Sequence, residues 1–356
     1  MESGTAQSPR RVTVADPWMI TRDQALVHAG EALDPVAVAR GFAVAKFTTE
    51  DLSGERLQSI RVTRHKPGRR CVIEYQLAAT DNSPQMTLIG KIRRKRSGRS
   101  AFELSRAFTA RGFHATAADR ISVPDAVAYV KKLGLWLQRK VSGPEATALL
   151  LTPAGPAIAT RIADAAYKMH RSNVPVERFH GIDNELEILE SCLDKVALVQ
   201  PTWKFRIERL KLGAQRLAQT LGHRKICGIH RDFYADQIIV DDDRLWLLDF
   251  DLYCQGDPAL DIGNFIGHVT EQSLRIAGHP KALAAVEQAI EDRYVALAGD
   301  TMRYAIRVYA LLTLMRHIYL SLQHESRRHT TQRLLSLCET RVVGMLCDPG
   351  EPAKAK

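Results

Sequence analysis

The chain has 356 residues, with 50 Lys and Arg against 40 Asp and Glu, a formal charge of +10. With 45% hydrophobic and 25% charged residues it has an ordinary globular composition, which excludes a low-complexity or disordered chain and is long enough for two domains. The excess positive charge favours anionic partners such as nucleotides or phosphorylated metabolites, without choosing among them.

Residues 1–20 are polar and lack the apolar core of a signal peptide. Residues 22–43 read as one or two short helices, the second opened by Asp34-Pro35; residues 1–45 together form an N-terminal extension. The period then changes. Ser59–Arg64 and Cys71–Leu77 read as strands around the turn His65-Lys66-Pro67-Gly68-Arg69, and Met86–Ile92 as a third. A helix is expected over Ala101–Arg111 with Ser100 as its cap, then strands at Ala126–Val130 and Leu135–Val141. Residues 46–141 thus form a small β-rich lobe. Ser142-Gly143-Pro144 breaks the chain. Residues 142–347 form a larger, mainly helical lobe, and 348–356 a polar tail. The fold class is α+β.

The six cysteines are scattered with no C-x-x-C pair, so neither a zinc site nor a disulfide framework is expected, and a reducing cytoplasm is the natural compartment. The longest apolar segment, Tyr304–Leu322, is broken by Arg307, Arg316 and His317 and reads as a core helix, not a membrane span. The basic run Lys91–Arg99 raises nucleic-acid binding, but no aromatic residues interleave with its charges and a solvated loop is favoured. No Walker A motif, G-x-G-x-x-G fingerprint or hydrolase elbow occurs. The long C-terminal helical region suits homodimerisation as well as substrate binding.

One helical-lobe segment breaks the pattern. Between Gly228 and Phe265 lie nine aspartates and two apolar runs, Ile238–Val240 and Leu245–Leu248, joined as a hairpin by Asp241-Asp242-Asp243-Arg244. Asp241–Asp243 read as a solvated turn. Asp249 directly follows four apolar residues and needs a reason, because a buried charge must be paired or bind a metal. A hairpin brings Asp232, Gln237 and Asp249 toward one mouth. Such hard oxygen ligands suit Mg2+ shared with substrate phosphates, and one carboxylate could instead take a proton from an attacking hydroxyl.

In this segment His230-Arg231-Asp232-Phe233-Tyr234-Ala235-Asp236-Gln237 resembles the H-x-D-x-x-x-x-N catalytic loop of the aminoglycoside phosphotransferase and choline kinase-like family. Asp249-Phe250-Asp251 followed by Gly256-Asp257-Pro258-Ala259-Leu260-Asp261 resembles that family's metal-binding stretch. The resemblance implies a bilobal protein-kinase-like fold and an ATP- and Mg2+-dependent kinase acting on a hydroxyl of a small molecule. It implies Asp232 as catalytic base, Asp249 as metal ligand, and His230 and Asp261 as braces of the loop, with Asp251 either a metal neighbour or an acceptor contact. Gln237 stands where the family has a metal-binding Asn, one methylene longer. That departure leaves open a kinase-like protein that binds nucleotide or a partner with little or no turnover. Lys91 matches the strand lysine that meets the ATP phosphates, and Glu103, the only acid between Asp81 and Asp119, is its expected partner. Arg69, in the turn that would close over the phosphates, is a weaker nucleotide contact. The +10 charge makes a neutral or anionic hydroxylated acceptor, such as a sugar, as reasonable as a cationic one.

Overall fold

The computed structural model describes residues 12–45, 51–94, 98–222 and 224–347. The chain forms two compact units, residues 1–142 and 143–356. The expected N-terminal stretch 1–11, part of the basic run (95–97) and the tail from 348 lie outside the described residues.

The first unit is built on a six-stranded sheet of order β1-β2-β3-β4-β7-β6. Its strands are β1 (Thr13–Ala15), β2 (Leu57–Lys66), β3 (Arg70–Leu77), β4 (Met86–Arg93), β6 (Ala126–Val130) and β7 (Leu135–Arg139); the short β5 (Ile121–Ser122) lies outside it. β1 runs parallel to β2, and every other pairing is antiparallel. Alternation sorts the two faces. Along β4, Met86, Leu88, Gly90 and Ile92 are buried while the residues between them are half-buried. The buried face packs against α1 (Ala29–Leu33) and α2 (Pro35–Ala43), where Phe42 meets Tyr75 edge-on at 5.4 Å. Tyr75 donates to Ala32 O at 3.0 Å, which satisfies its buried hydroxyl. Asp34 caps α2, accepting from Val36 N at 2.9 Å, with Pro35 at the first helical position as the sequence predicts. The next helix, α3, spans Gly98–Phe108 and so starts before Ser100. The expected cap therefore lies inside its first turn. The helical path then loosens and turns at Gly112, φ 89°.

The second unit is helical apart from two short pairs of strands. Its helices are α4 (Ala146–Leu149), α5 (Gly155–His170), α6 (Ile182–Val199), α7 (Lys204–Gln219), α8 (Ala259–Ala277), α9 (Ala284–Ala298), α10 (Met302–Gln323) and α11 (Thr331–Cys347). The predicted core helix is α10, with 14 buried residues. It lies very close to α8: a Cβ on Gly263 would come within 2.7 Å of both Ala310 N and Ile306 O. The strands are β8 (Cys227–Ile229), β9 (Ile238–Asp241), β10 (Arg244–Leu247) and β11 (Cys254–Gly256). β9 and β10 form the expected hairpin, with Asp241 opposite Arg244, so the turn is Asp242-Asp243. Asp242 takes φ 51° and is exposed. β8 pairs with β11 and brings the chain before the hairpin next to the chain after it. Among the described residues no helix is long and apolar enough to cross a membrane.

Candidate active site

The loop between β8 and β9 is fixed on every side of Asp232. Asp261, in the first turn of α8 and without solvent exposure, accepts from His230 N and Arg231 N, both at 2.7 Å. Its Oδ2 also accepts from His170 Nε2 at 2.9 Å, and His170 Nδ1 meets the Tyr294 hydroxyl at 2.7 Å. A carboxylate that takes two adjacent amides holds a backbone shape the chain would not choose. Arg231 sits at φ 69°, a region few non-glycine residues occupy and one that gathers at functional sites. His230 donates from Nε2 to Leu248 O at 2.8 Å, and its ring lies against Phe250 and Phe233. Asn264 donates to Phe233 O at 3.0 Å. Between these anchors Asp232 is half-buried, and its carboxylate has no hydrogen bond or ion pair among the described residues. A positioned but unengaged carboxylate is what proton transfer from a substrate hydroxyl requires.

The hairpin ends beside this loop. Leu248 N donates to Gln237 O at 2.9 Å, so the residue before Asp249 touches both Gln237 and His230. Gln237 is buried. Asp249 is half-buried at φ 58°, a second left-handed non-glycine residue in the same small region. Arg178 donates to Tyr253 O at 2.8 Å and to Asp251 O at 3.4 Å, fixing the chain that follows. Among the described residues no three His, Cys, Asp or Glu side chains gather as a metal-binding group. An amide and a carboxylate oxygen at the hairpin end fit Mg2+, which retains waters and shares substrate phosphates instead of filling an all-protein cage.

A buried polar chain stands behind the loop. Glu185 accepts from His180 at 2.5 Å and pairs with Arg316 at 3.4 Å and Arg231 at 4.0 Å. Burial pulls its carboxyl up, but the His180 hydrogen bond and the charges of Arg316, His180 and Arg231 outweigh this and hold it below the usual range. Arg316 also donates to Asn264 Oδ1 at 2.8 Å. Glu185, Arg316 and Asn264 thus link α6, α10 and α8 to the loop carbonyl of Phe233. Sequence reasoning did not find this chain, nor His170. Asn264 carries the only local signal, one helical turn after Asp261 on the same face.

In the first unit, Lys91 lies within β4, opposite Val72 and Trp136, half-buried with Nζ 5.5 Å from the Trp136 ring centre. The same sheet face carries Glu74, which is buried and accepts from Lys140 at 2.6 Å. Trp136 Nε1 is buried without a hydrogen-bond partner among the described residues. Glu103, on α3, is exposed, and its ion-pair partner is Arg99 at 2.8 Å. Arg69 is exposed in the β2–β3 turn. A residue the sequence did not single out organises that turn. Asp23 Oδ2 accepts from His65 Nε2 and from Gly68 N, both at 2.8 Å. Those two hydrogen bonds, His65 first, hold the Asp23 carboxyl below its usual range.

The chain is similar to known proteins at two levels. In fold it is similar to a choline/ethanolamine kinase family protein from Mesorhizobium loti, at 16% identity and TM-score 0.54 over 88% of this chain and 93% of that one. It is similar to a thermostable mutant of the aminoglycoside phosphotransferase APH(4)-Ia, at 14% identity and TM-score 0.56 over 81% and 95% of the two chains. It is also similar to a choline kinase from Cryptosporidium parvum, at 11% identity and TM-score 0.54 over 82% and 92%. No curated protein matches the sequence. A profile of the phosphotransferase enzyme family matches residues 75–299, more than half of the chain and inclusive of the loop that carries Asp232, the hairpin and Asp261. The chain therefore belongs to the phosphotransferase enzyme family and has its protein-kinase-like fold.

Proposed function

We propose that this phosphotransferase, which acts on an alcohol group, transfers the γ-phosphoryl group of ATP to a hydroxyl of a sugar-like or other hydroxylated metabolite in a reducing cytoplasm. Solved relatives bound to ADP or AMP-PNP support the nucleotide, and six free cysteines suit the compartment. The observation that carries the reading is Asp232, held between fixed neighbours with an unengaged carboxylate.

Phosphoryl transfer asks for positioning and charge neutralisation more than for covalent chemistry. Asp232 orients the acceptor hydroxyl and takes its proton as that oxygen bonds to the γ-phosphorus. The bond from the γ-phosphorus to the bridging oxygen breaks, and ADP leaves. Asp249 and Gln237 would hold Mg2+, which when bound offsets charge on the phosphates. Lys91 meets the phosphates and Arg69 adds charge at the β2–β3 turn; Glu103, the expected partner of Lys91, pairs with Arg99 instead.

ADP release over a panel of hydroxylated acceptors tests this. Asp232→Ala should fold as wild type while kcat falls by about 10²–10⁴; a variant with wild-type turnover would remove Asp232 from the mechanism. Gln237, one methylene longer than Asn, supports a second reading, a nucleotide-binding relative with weak or no turnover. ATP binding without ADP release from any acceptor would select it.

A further inference from the structure

Two histidines that this chemistry does not use lie against the catalytic loop. His268 follows Asn264 by one turn on α8, and His317 follows Thr313 by one turn on α10. The close approach of these helices brings them together: a Cβ on Gly267 would lie 2.7 Å from Thr313 Cβ and 2.9 Å from Ala310 O. The two rings meet edge to face, centres 4.5 Å apart and planes at 88°. His268 also stacks on Tyr234 at 4.5 Å and 15°. Tyr234 is two residues after Asp232, in extended backbone with φ −153°, so the stack holds the same loop that carries the residue expected to hold the acceptor hydroxyl.

Three arginines act on the pair, and two of them are already neutralised by carboxylates. His317 is 2% exposed, and its Nε2 has no hydrogen-bond partner among the described residues. Such a buried polar atom calls for an explanation, and a ligand atom is one. Burial first, then Arg316 and Arg327, hold His268 down to about 3. Burial, His268 and the arginines 316, 327 and 275 hold His317 well below its ordinary value. The largest influences on the two rings after burial are cationic or neutral side chains. Arg275 is paired with Glu271 at 3.0 Å and Arg316 with Glu185. Arg327, half-buried in the segment Glu325–Thr330, has no side-chain ion pair or hydrogen bond among the described residues. Two neutral imidazoles ringed by guanidinium groups repel a metal cation and attract an anion.

We propose that Tyr234, His268, His317 and Arg327 form an acceptor subsite that takes an anionic oxygen group, carboxylate or phosphate, carried by the hydroxylated acceptor. This rests on the kinase reading and narrows its substrate class. Arg327 supplies the uncompensated charge. His317 supplies a donor at Nε2 in the tautomer protonated there. Tyr234 and His268 supply an aromatic wall for the carbon skeleton. A polycationic acceptor meets repulsion at the same place, which makes the site selective as well as attractive.

Calorimetric titration of the full chain with gluconate and with glucose 6-phosphate, and with glucose as the neutral control, tests the subsite. One anion should bind at least about tenfold more tightly than glucose, and Arg327→Gln and His317→Phe should each weaken it about tenfold or more. Preference for gluconate identifies the group as carboxylate, and preference for glucose 6-phosphate as phosphate. If neither anion outbinds glucose, or both variants bind as wild type does, the inference is overturned. Thermal stabilisation by Mg2+ and ATP on the same samples reads the kinase claim by itself. Variant-sensitive anion binding without any nucleotide response refutes the kinase reading and keeps the anion site.

Discussion

Asp261 accepts from two backbone amides and a histidine at a position water does not reach, and Asp232, on the loop so held, accepts from no group among the described residues. Removing one partner of a buried charged hydrogen bond leaves the others unsatisfied, which costs more than the bond's net worth. Asp261→Ala should therefore lose about 3 kcal/mol or more of stability in urea unfolding, while Asp232→Ala stays within roughly 0.5 kcal/mol of wild type. Equal losses in the two variants would mean that Asp232 has a structural partner. His268 and His317 carry a second residue-scale expectation. Their folded pKa values lie below the unfolded one of about 6.5, so in acid the unfolded chain binds protons that the folded chain does not. Stability should decline as pH falls below about 6.5, by up to roughly 1.4 kcal/mol per unit for each ring. His268→Phe/His317→Phe should flatten the slope between pH 7.5 and 5.5, and an unchanged slope contradicts the assignment. His230, Asp232 and Asp261 were legible in sequence because their spacing is local to one motif. His170 was not, because it meets Asp261 from 91 positions away, and neither were Arg316, which reaches the loop through Asn264, and Glu185, which pairs with Arg231 from a distant helix.

The helix pair α8 and α10 shows why elements were easier to read than their contacts. The apolar pattern of residues 304–322 marks a core helix, and α10 spans Met302–Gln323. Nothing in that pattern says that Gly263 and Gly267 are where it touches α8. At Gly263 an added Cβ would meet Tyr309 Cβ at 2.5 Å and backbone at 2.7 Å, so the helices would have to part. Gly263→Ala should cost about 2 kcal/mol, within the range for overpacking, although alanine is the better helix former. Gly30→Ala in α1, where nothing lies within 4 Å, should instead be neutral or stabilising by about 0.5–1 kcal/mol. Thermal melts of the two variants check this, and a Gly263→Ala protein as stable as Gly30→Ala would contradict the close packing. In the sheet, alternation placed β2, β3 and β4 to within a few residues. It was silent on Asp23, which ties the N-terminal segment to the β2–β3 turn across more than 40 positions. A side chain that acts on backbone so remote leaves no periodic trace. The Glu103 and Arg99 pair is local by contrast, one helical turn apart, and exposed.

At the scale of the whole molecule, the sequence divides where its period changes, from two-residue alternation to helical spacing, and the chain passes from one compact unit to the next between Ser142 and Gly143. Gly143 allows this: it takes φ 114°, and a Cβ there would lie 2.2 Å from Val240 O. The fold is shared with kinases at 11–16% identity, because patterning and a few polar anchors specify it while most surface and core residues vary freely. The same tolerance hides the acceptor, since the residues expected to choose it lie on helices whose packing carries no motif. The central claim is that this chain binds Mg2+ and ATP at the hairpin end, and thermal unfolding of wild type and Asp249→Ala with and without both ligands tests it most directly. At ATP near 100 times its Kd, wild type should gain about 2.7 kcal/mol, a rise of roughly 3–6 °C in Tm, that depends on Mg2+ and is lost in Asp249→Ala. No shift at millimolar Mg2+ and ATP, or the same shift in the variant, would contradict the account.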